Sequence, residues 1–129
     1  MLVGPRIESV TESKSLKLAK EFLGKVTKVT IDRPLGSNHP KWGFRYPVNY
    51  GFIEGVIAPD GANLDAYLLR VDRPVGEYEG VAVAIIHRID DDDDKLVVVP
   101  KGEPIISDGD IESAVEFQEK WFVHTIVRG

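Results

Sequence analysis

The sequence predicts an α+β domain, a small mixed β-barrel with helices on its flanks. Three observations carry that expectation. Six or more short runs rich in β-branched and aromatic residues follow one another at close spacing. Two stretches, one near each end, place apolar residues at helical spacing instead. The length of 129 residues suits one domain, spanning 1–129. A domain of that size buries about two thirds of its unfolded surface and folds without staples.

Residues 1–10 read as a lead-in or a short edge strand. A first helix is expected over about 12–23, where Leu16, Ala19, Phe22 and Leu23 repeat opposite lysines. Thr11 is placed to cap its start, and Gly24 follows its end. From Lys25 the period changes: Val26, Val29 and Ile31 mark a strand that Pro34 stops. Residues 36–43 (GSNHPKWG) are dense in turn formers and read as a loop. Further strands are expected over 44–49, 52–58, 64–71, 80–89 and 96–99, with a turn at Pro59-Asp60-Gly61 and a loop over 100–104. A second helix is expected over about 108–122. Ser107 or Asp108 caps it, and Ile111, Ala114, Val115, Phe117, Trp121 and Phe122 form its apolar stripe. Residues 123–127 read as a last strand packed on this helix.

Composition narrows the function classes. Sixteen Lys and Arg against twenty-one Asp and Glu leave a formal charge of −5, the wrong sign for a general nucleic-acid binder. The absence of cysteine excludes a disulfide scaffold, a thiolate metal site and a Cys nucleophile. No apolar run approaches the roughly 20 residues that span a bilayer, so no membrane partner is expected. The first twenty residues hold no stretch of signal-peptide type, and the expected location is the cytoplasm.

Three segments hold candidate residues for chemistry. Asp60 and Asp65 flank a turn that leads into a strand. Such a pair, aimed into one cleft, binds a hard cation such as Mg²⁺. The plainer reading is a β-turn followed by an unrelated strand Asp. Asp65 nevertheless lies inside an apolar run, where an unpaired carboxylate is costly. The five carboxylates at 90–94 precede Lys95. They are a solvated hairpin tip, or alternate ones face a metal cleft in which Lys95 meets a phosphate. The third segment, Arg45-Tyr46-Pro47-Val48-Asn49-Tyr50-Gly51, offers phenols and a guanidinium to phosphate oxygens, or else an aromatic core strand with Arg45 at its rim. His39, His87 and His124 lack zinc-type spacing. No Gly-x-Ser-x-Gly elbow occurs.

Taken together, these segments resemble the soluble family I inorganic pyrophosphatases. The resemblance rests on Val29-Thr30-Ile31-Asp32-Arg33-Pro34, Tyr46-Pro47-Val48-Asn49-Tyr50-Gly51, the stretch from Asp60 to Asp65, and Asp93-Asp94-Lys95-Leu96-Val97-Val98-Val99-Pro100. It covers about residues 26–122, in a chain shorter than usual for the family. It implies a five-stranded OB-like barrel with flanking helices and Mg²⁺-dependent hydrolysis of pyrophosphate to two phosphates, with Mn²⁺ as an alternative metal. Metals would activate a water and clamp phosphoryl oxygens. Carried over by position, Asp60, Asp65 and Asp93 match metal ligands, Asp90 or Asp91 matches a further one, and Asp32 stands where the family has a Glu facing the metals. Asp65, Asp93 and Lys95 are then the expected catalytic residues. Lys95 and Tyr50 match phosphate-binding residues, with Lys41 and Arg45 as nearby cations. Family members differ in assembly, which leaves a homo-oligomer open.

The departures define the alternatives. The family pattern Asp-Gly-Asp-Pro-x-Asp reads Asp-Gly-Ala-Asn-Leu-Asp here, so Ala62 replaces the general base. Losing a positioned base costs roughly 10²–10⁴-fold in rate. A Lys- and Arg-bearing hairpin before Tyr46 is missing, and the region of the family's C-terminal Tyr-Lys pair reads Glu119-Lys120-Trp121-Phe122. The alternatives are a phosphohydrolase acting on another phosphoanhydride, or a non-catalytic relative that binds metal and anion.

Overall fold

The computed structural model describes residues 12–89 and 93–129. Helix α1 (Lys14–Lys20) leads into β1 (Val26–Arg33), β2 (Asn49–Ile57), β3 (Asn63–Leu68), β4 (Glu77–Arg88) and β5 (Lys95–Val99). Helix α2 (Asp108–Glu119) and strand β6 (His124–Val127) complete the chain. Among these residues no helix is long and apolar enough to cross a membrane.

Five strands close a barrel in the order β1-β2-β3-β5-β4, with β4 returning to β1. The β3–β5 pair is parallel, and the other pairs are antiparallel. The length of β4 makes closure possible. Its first half pairs with β1, from Glu77 to Val81, and its last four residues add β6 outside the barrel. Two glycines permit the close crossings. A Cβ on Gly51 would stand 1.8 Å from the Thr30 carbonyl oxygen, and one on Gly80 would stand 2.3 Å from that of Val99.

Two apolar layers hold this frame. Val29, Leu64, Ala66, Leu68, Ile85, Leu96 and Val98 fill the barrel, and Leu16 and Ala19 of α1 pack against them. On the outer face Tyr67, Ile86, Val97 and Val99 pack beneath Ile111 and Val115 of α2, with Ile126 of β6 alongside. Strand β5 is buried along its whole length because both layers use it.

The expected elements shift where tertiary contacts outbid local pattern. Helix α1 ends at Lys20 rather than near 23 because the chain leaves to join β4. The Gly24 N–H donates to the Ala82 carbonyl at 2.8 Å, with Gly24 at φ 81°. Its cap is Ser13, whose hydroxyl accepts the Leu16 N–H. The expected cap Thr11 and the lead-in 1–10 lie outside the described residues. The strand expected over 44–49 does not form. Pro47 has no N–H to donate, and the segment folds back on the loop before it. The Tyr46 N–H donates to the Ser37 carbonyl and the Gly36 N–H to the Tyr46 carbonyl, each at 2.8 Å. Helix α2 starts at its Ser107 cap and ends at Glu119, three residues short of expectation. Trp121 and Phe122 therefore leave the stripe and stand 60% and 36% exposed.

Candidate active site

The parallel register of β3 and β5 sets Asp65 beside Lys95. The Lys95 ammonium donates to Asp65 Oδ2 at 2.9 Å and to both oxygens of Asp93, at 3.3 and 3.4 Å. The lysine side chain is 3% exposed, whereas the two carboxylates are about a third open to solvent (33% and 28%). The cation thus forms the floor, and the carboxylates face outward. Tyr50 of β2 completes the corner, with the Lys95 ammonium 5.6 Å from its ring centre.

Burial dominates the electrostatics. It pushes the Tyr50 phenol well above its ordinary value, and the Asp65 and Asp93 charges add to the effect. The phenol therefore keeps its proton and stays a donor. Burial also raises the Asp93 carboxyl, against the pull of Lys95 and Arg88. Asp32, on β1, is raised chiefly by burial of its surroundings, and the charge of Asp65 contributes.

A second charged layer lies behind the first. Arg88, at the end of β4, donates through Nε and Nη2 to Glu119, each bond 2.9 Å, and through Nη1 to Asp93 at 3.1 Å. Glu119 is wholly buried and also accepts the Tyr67 hydroxyl at 2.6 Å. Burial would raise the Glu119 carboxyl, but the Arg88 and Tyr67 hydrogen bonds outweigh it and hold the group below its ordinary value. A chain of side chains continues outward: Gln118 Nε2 donates to the Tyr67 hydroxyl at 2.7 Å, and Tyr46 donates to Gln118 Oε1 at 3.0 Å.

Of the residues expected from sequence, Asp65, Asp93, Lys95 and Tyr50 come together, with Asp32 within electrostatic range of Asp65. Three do not join them. Asp60 is exposed at the β2–β3 hairpin tip, where its Oδ1 accepts the Ala62 N–H at 3.0 Å. This is the plainer turn reading of that residue, and Ala62 is exposed beside it. Arg45 is exposed and lies against Gly36. Lys41 is exposed with its ammonium 4.8 Å from the Trp42 ring centre. Asp90 lies outside the described residues. Among the described residues no three carboxylate or histidine groups stand together as a ready-made cation cage.

Arg88, Glu119, Tyr67 and Gln118 were not expected. A signal existed for Glu119, which follows Ile111 and Val115 at four-residue spacing on the buried face of α2. Arg88 and Gln118 border, together with Lys95 and Tyr50, one cleft of about 830 Å³. Lys95, Arg88 and Tyr50 lie at its base, and Trp42, Phe44, Phe117, Trp121 and Phe122 form its walls. His39 also lines it, but its Nδ1 is committed to the N–H groups of Lys41 and Trp42, at 3.0 Å each.

The family model described as inorganic pyrophosphatase matches residues 9–126. The inorganic pyrophosphatase of Aeropyrum pernix is 34% identical over 87 residues, which is 60% of this chain and 49% of that relative. The chain thus matches about half the length of that curated relative. An inorganic pyrophosphatase structure from Neisseria gonorrhoeae superposes with a TM-score of 0.58 at 26% identity, covering 75% of this chain and 71% of that one. One from Helicobacter pylori, at 19% identity, shares the fold with a TM-score of 0.63 over 80% and 84%.

Proposed function

We propose that this chain, which belongs to the inorganic pyrophosphatase family, hydrolyses pyrophosphate to two phosphates with the help of a divalent cation. The observation that carries the reading is the convergence of the partly open Asp65 and Asp93 carboxylates on the buried Lys95 ammonium, a residue that also lines the open cleft. The donor set fits Mg²⁺. That ion keeps several waters and binds through one or two carboxylates plus substrate phosphates, so a complete protein cage is not needed. Mn²⁺ accepts the same oxygen donors. Asp65 and Asp93 would hold the cation, with Asp32 as a further carboxylate. Bound there, it supplies a more acidic water and neutralises charge on the phosphoryl group.

The chain's own residues do the rest. Lys95, freed from its two carboxylates, holds a phosphate oxygen. The Tyr50 hydroxyl, which stays protonated, donates to another. The bond from the bridging oxygen to phosphorus breaks as water adds on the opposite side. Ala62 offers no acid–base group, so the proton that water gives up passes to Asp93. Arg88 holds Asp93 in place from behind and is itself fixed by Glu119.

The test is phosphate release from pyrophosphate with Mg²⁺, with Mn²⁺ and with EDTA. Release with either metal and none with EDTA is expected. No release from a folded protein under any divalent metal would favour a non-catalytic relative that binds metal and anion.

A further inference from the structure

Pyrophosphate is small and wholly polar, and the walls of the cleft have nothing to gain from it. Trp42 and Trp121 are 68% and 60% exposed, and Phe122 is 36% exposed. Phe44 joins them in the cleft wall, its ring centre 5.7 Å from that of Trp121. These rings border the same cleft whose base carries Lys95 and Arg88. Exposed aromatic rings gathered along one groove with polar groups beside them are the pattern of a ligand-binding groove. The rings also carry cations: the Lys41 ammonium lies 4.8 Å from the Trp42 ring centre and that of Lys120 4.9 Å from Trp121. A planar apolar ligand with an anionic tail matches that pairing of ring faces and ammonium groups.

The geometry points to a nucleoside 5′-diphosphate as a substrate of this cleft, its base stacked on Trp121 and Trp42 and its terminal phosphate at Lys95. The inference rests on the phosphoanhydride chemistry proposed above and names the substrate class that the walls add to it. Water adds to the terminal phosphorus and the bond from that phosphorus to the bridging oxygen breaks. The nucleoside monophosphate leaves with that oxygen. Inorganic phosphate is the other product, and the proton lost by water passes through Asp93 to solvent. Neutral base surface replaces water on the tryptophan faces, as in other sites that hold bases by stacking.

The chain holds two tryptophans, and both line the cleft. Its tryptophan fluorescence, excited selectively, therefore reports on this site alone. AMP has a base and a phosphate but no anhydride to break. Saturable quenching by AMP, and none by inorganic phosphate, is the expected result. In the rate assay with Mg²⁺, ADP is hydrolysed. Trp121→Ala lowers the ratio of kcat/KM on ADP to kcat/KM on pyrophosphate about tenfold, mostly through KM. Pyrophosphate turnover without ADP turnover or AMP quenching overturns the inference and leaves the pyrophosphatase reading standing. ADP turnover alone supports the inference and overturns that reading. No turnover of either overturns both. A concentration-dependent blue shift without nucleotide shows that a second copy of the chain covers the rings, and overturns the inference.

Discussion

Replacing Glu119 with Gln removes one charge from the buried pair behind the site while keeping the side chain's volume. Arg88 is 6% exposed and Glu119 is wholly buried. Two charge-assisted bonds of 2.9 Å and the 2.6 Å bond from Tyr67 depend on that carboxylate. Breaking a buried pair by neutralising one partner costs about 3–5 kcal/mol, because the other charge stays buried. Arg88 keeps Asp93 at 3.1 Å and the face of Phe122 at 3.6 Å, which places the expected loss at the low end, about 3 kcal/mol. At about 4 °C per kcal/mol for a chain of this length, Tm falls by about 12 °C. Urea unfolding measures the loss directly, as a lower midpoint with an unchanged slope. The pH dependence has a definite sign. The folded Glu119 carboxyl lies below its ordinary value of 4.5, so its contribution is present above that value. It fades as pH falls through the folded value, and the two proteins converge in acid. A loss under about 1 kcal/mol at neutral pH, or a difference that persists undiminished in acid, would refute the reasoning.

Other perturbations probe the frame and the cleft. Gly51→Ala drives a Cβ to 1.8 Å from the Thr30 carbonyl oxygen, and β1 and β2 must separate. A loss of at least about 3 kcal/mol by urea unfolding is expected, and a neutral effect would disprove the close crossing. His124 is raised above its ordinary value: burial opposes the shift, but the 2.8 Å bond to Glu112 outweighs it. Its contribution is full below pH 6.5 and is lost as pH rises through the folded value, so His124→Gln flattens that slope by up to about 1 kcal/mol. Millimolar Mg²⁺ raises the Tm of the unchanged protein, by binding the native state alone, and raises that of Asp65→Asn less. A shift of equal size in both would place the cation elsewhere.

Much of the barrel was legible because its signals are local. Val29 and Ile31 alternate inward along β1, and Leu96 to Val99 form a short apolar run that only a strand buried on both faces explains. The missing strand over 44–49 shows the limit of that reading. Phe44, Tyr46 and Val48 have strand composition, yet Pro47 and the fold-back onto Ser37 decide the path. The sequence marks Asn49 only as one letter of a motif, whereas in the structure it is a buried staple. Its Oδ1 accepts from Leu35 and Val75, and its Nδ2 donates to the carbonyls of Val71 and Arg73. Asp65 stands out in the sequence because its charge sits inside an apolar run that demands a partner, whereas Lys95 follows a run of aspartates and is marked only by the family resemblance. Asp60 was not separable from Asp65, since spacing alone does not say whether a hairpin tip bends toward a cleft. Arg88 and Glu119 are 31 positions apart, and only closure of the barrel against α2 brings them together.

The most direct test is the rate of phosphate release from pyrophosphate at saturating Mg²⁺, measured for the unchanged protein and for Asp65→Asn side by side. The Lys95 ammonium keeps Asp93 in that variant, so its fold is expected to survive, which circular dichroism checks. The account predicts release by the unchanged protein and a rate at least about 10²-fold lower in the variant, the scale of losing a positioned catalytic group. Equal rates from the two folded proteins, or no release by either, would contradict it.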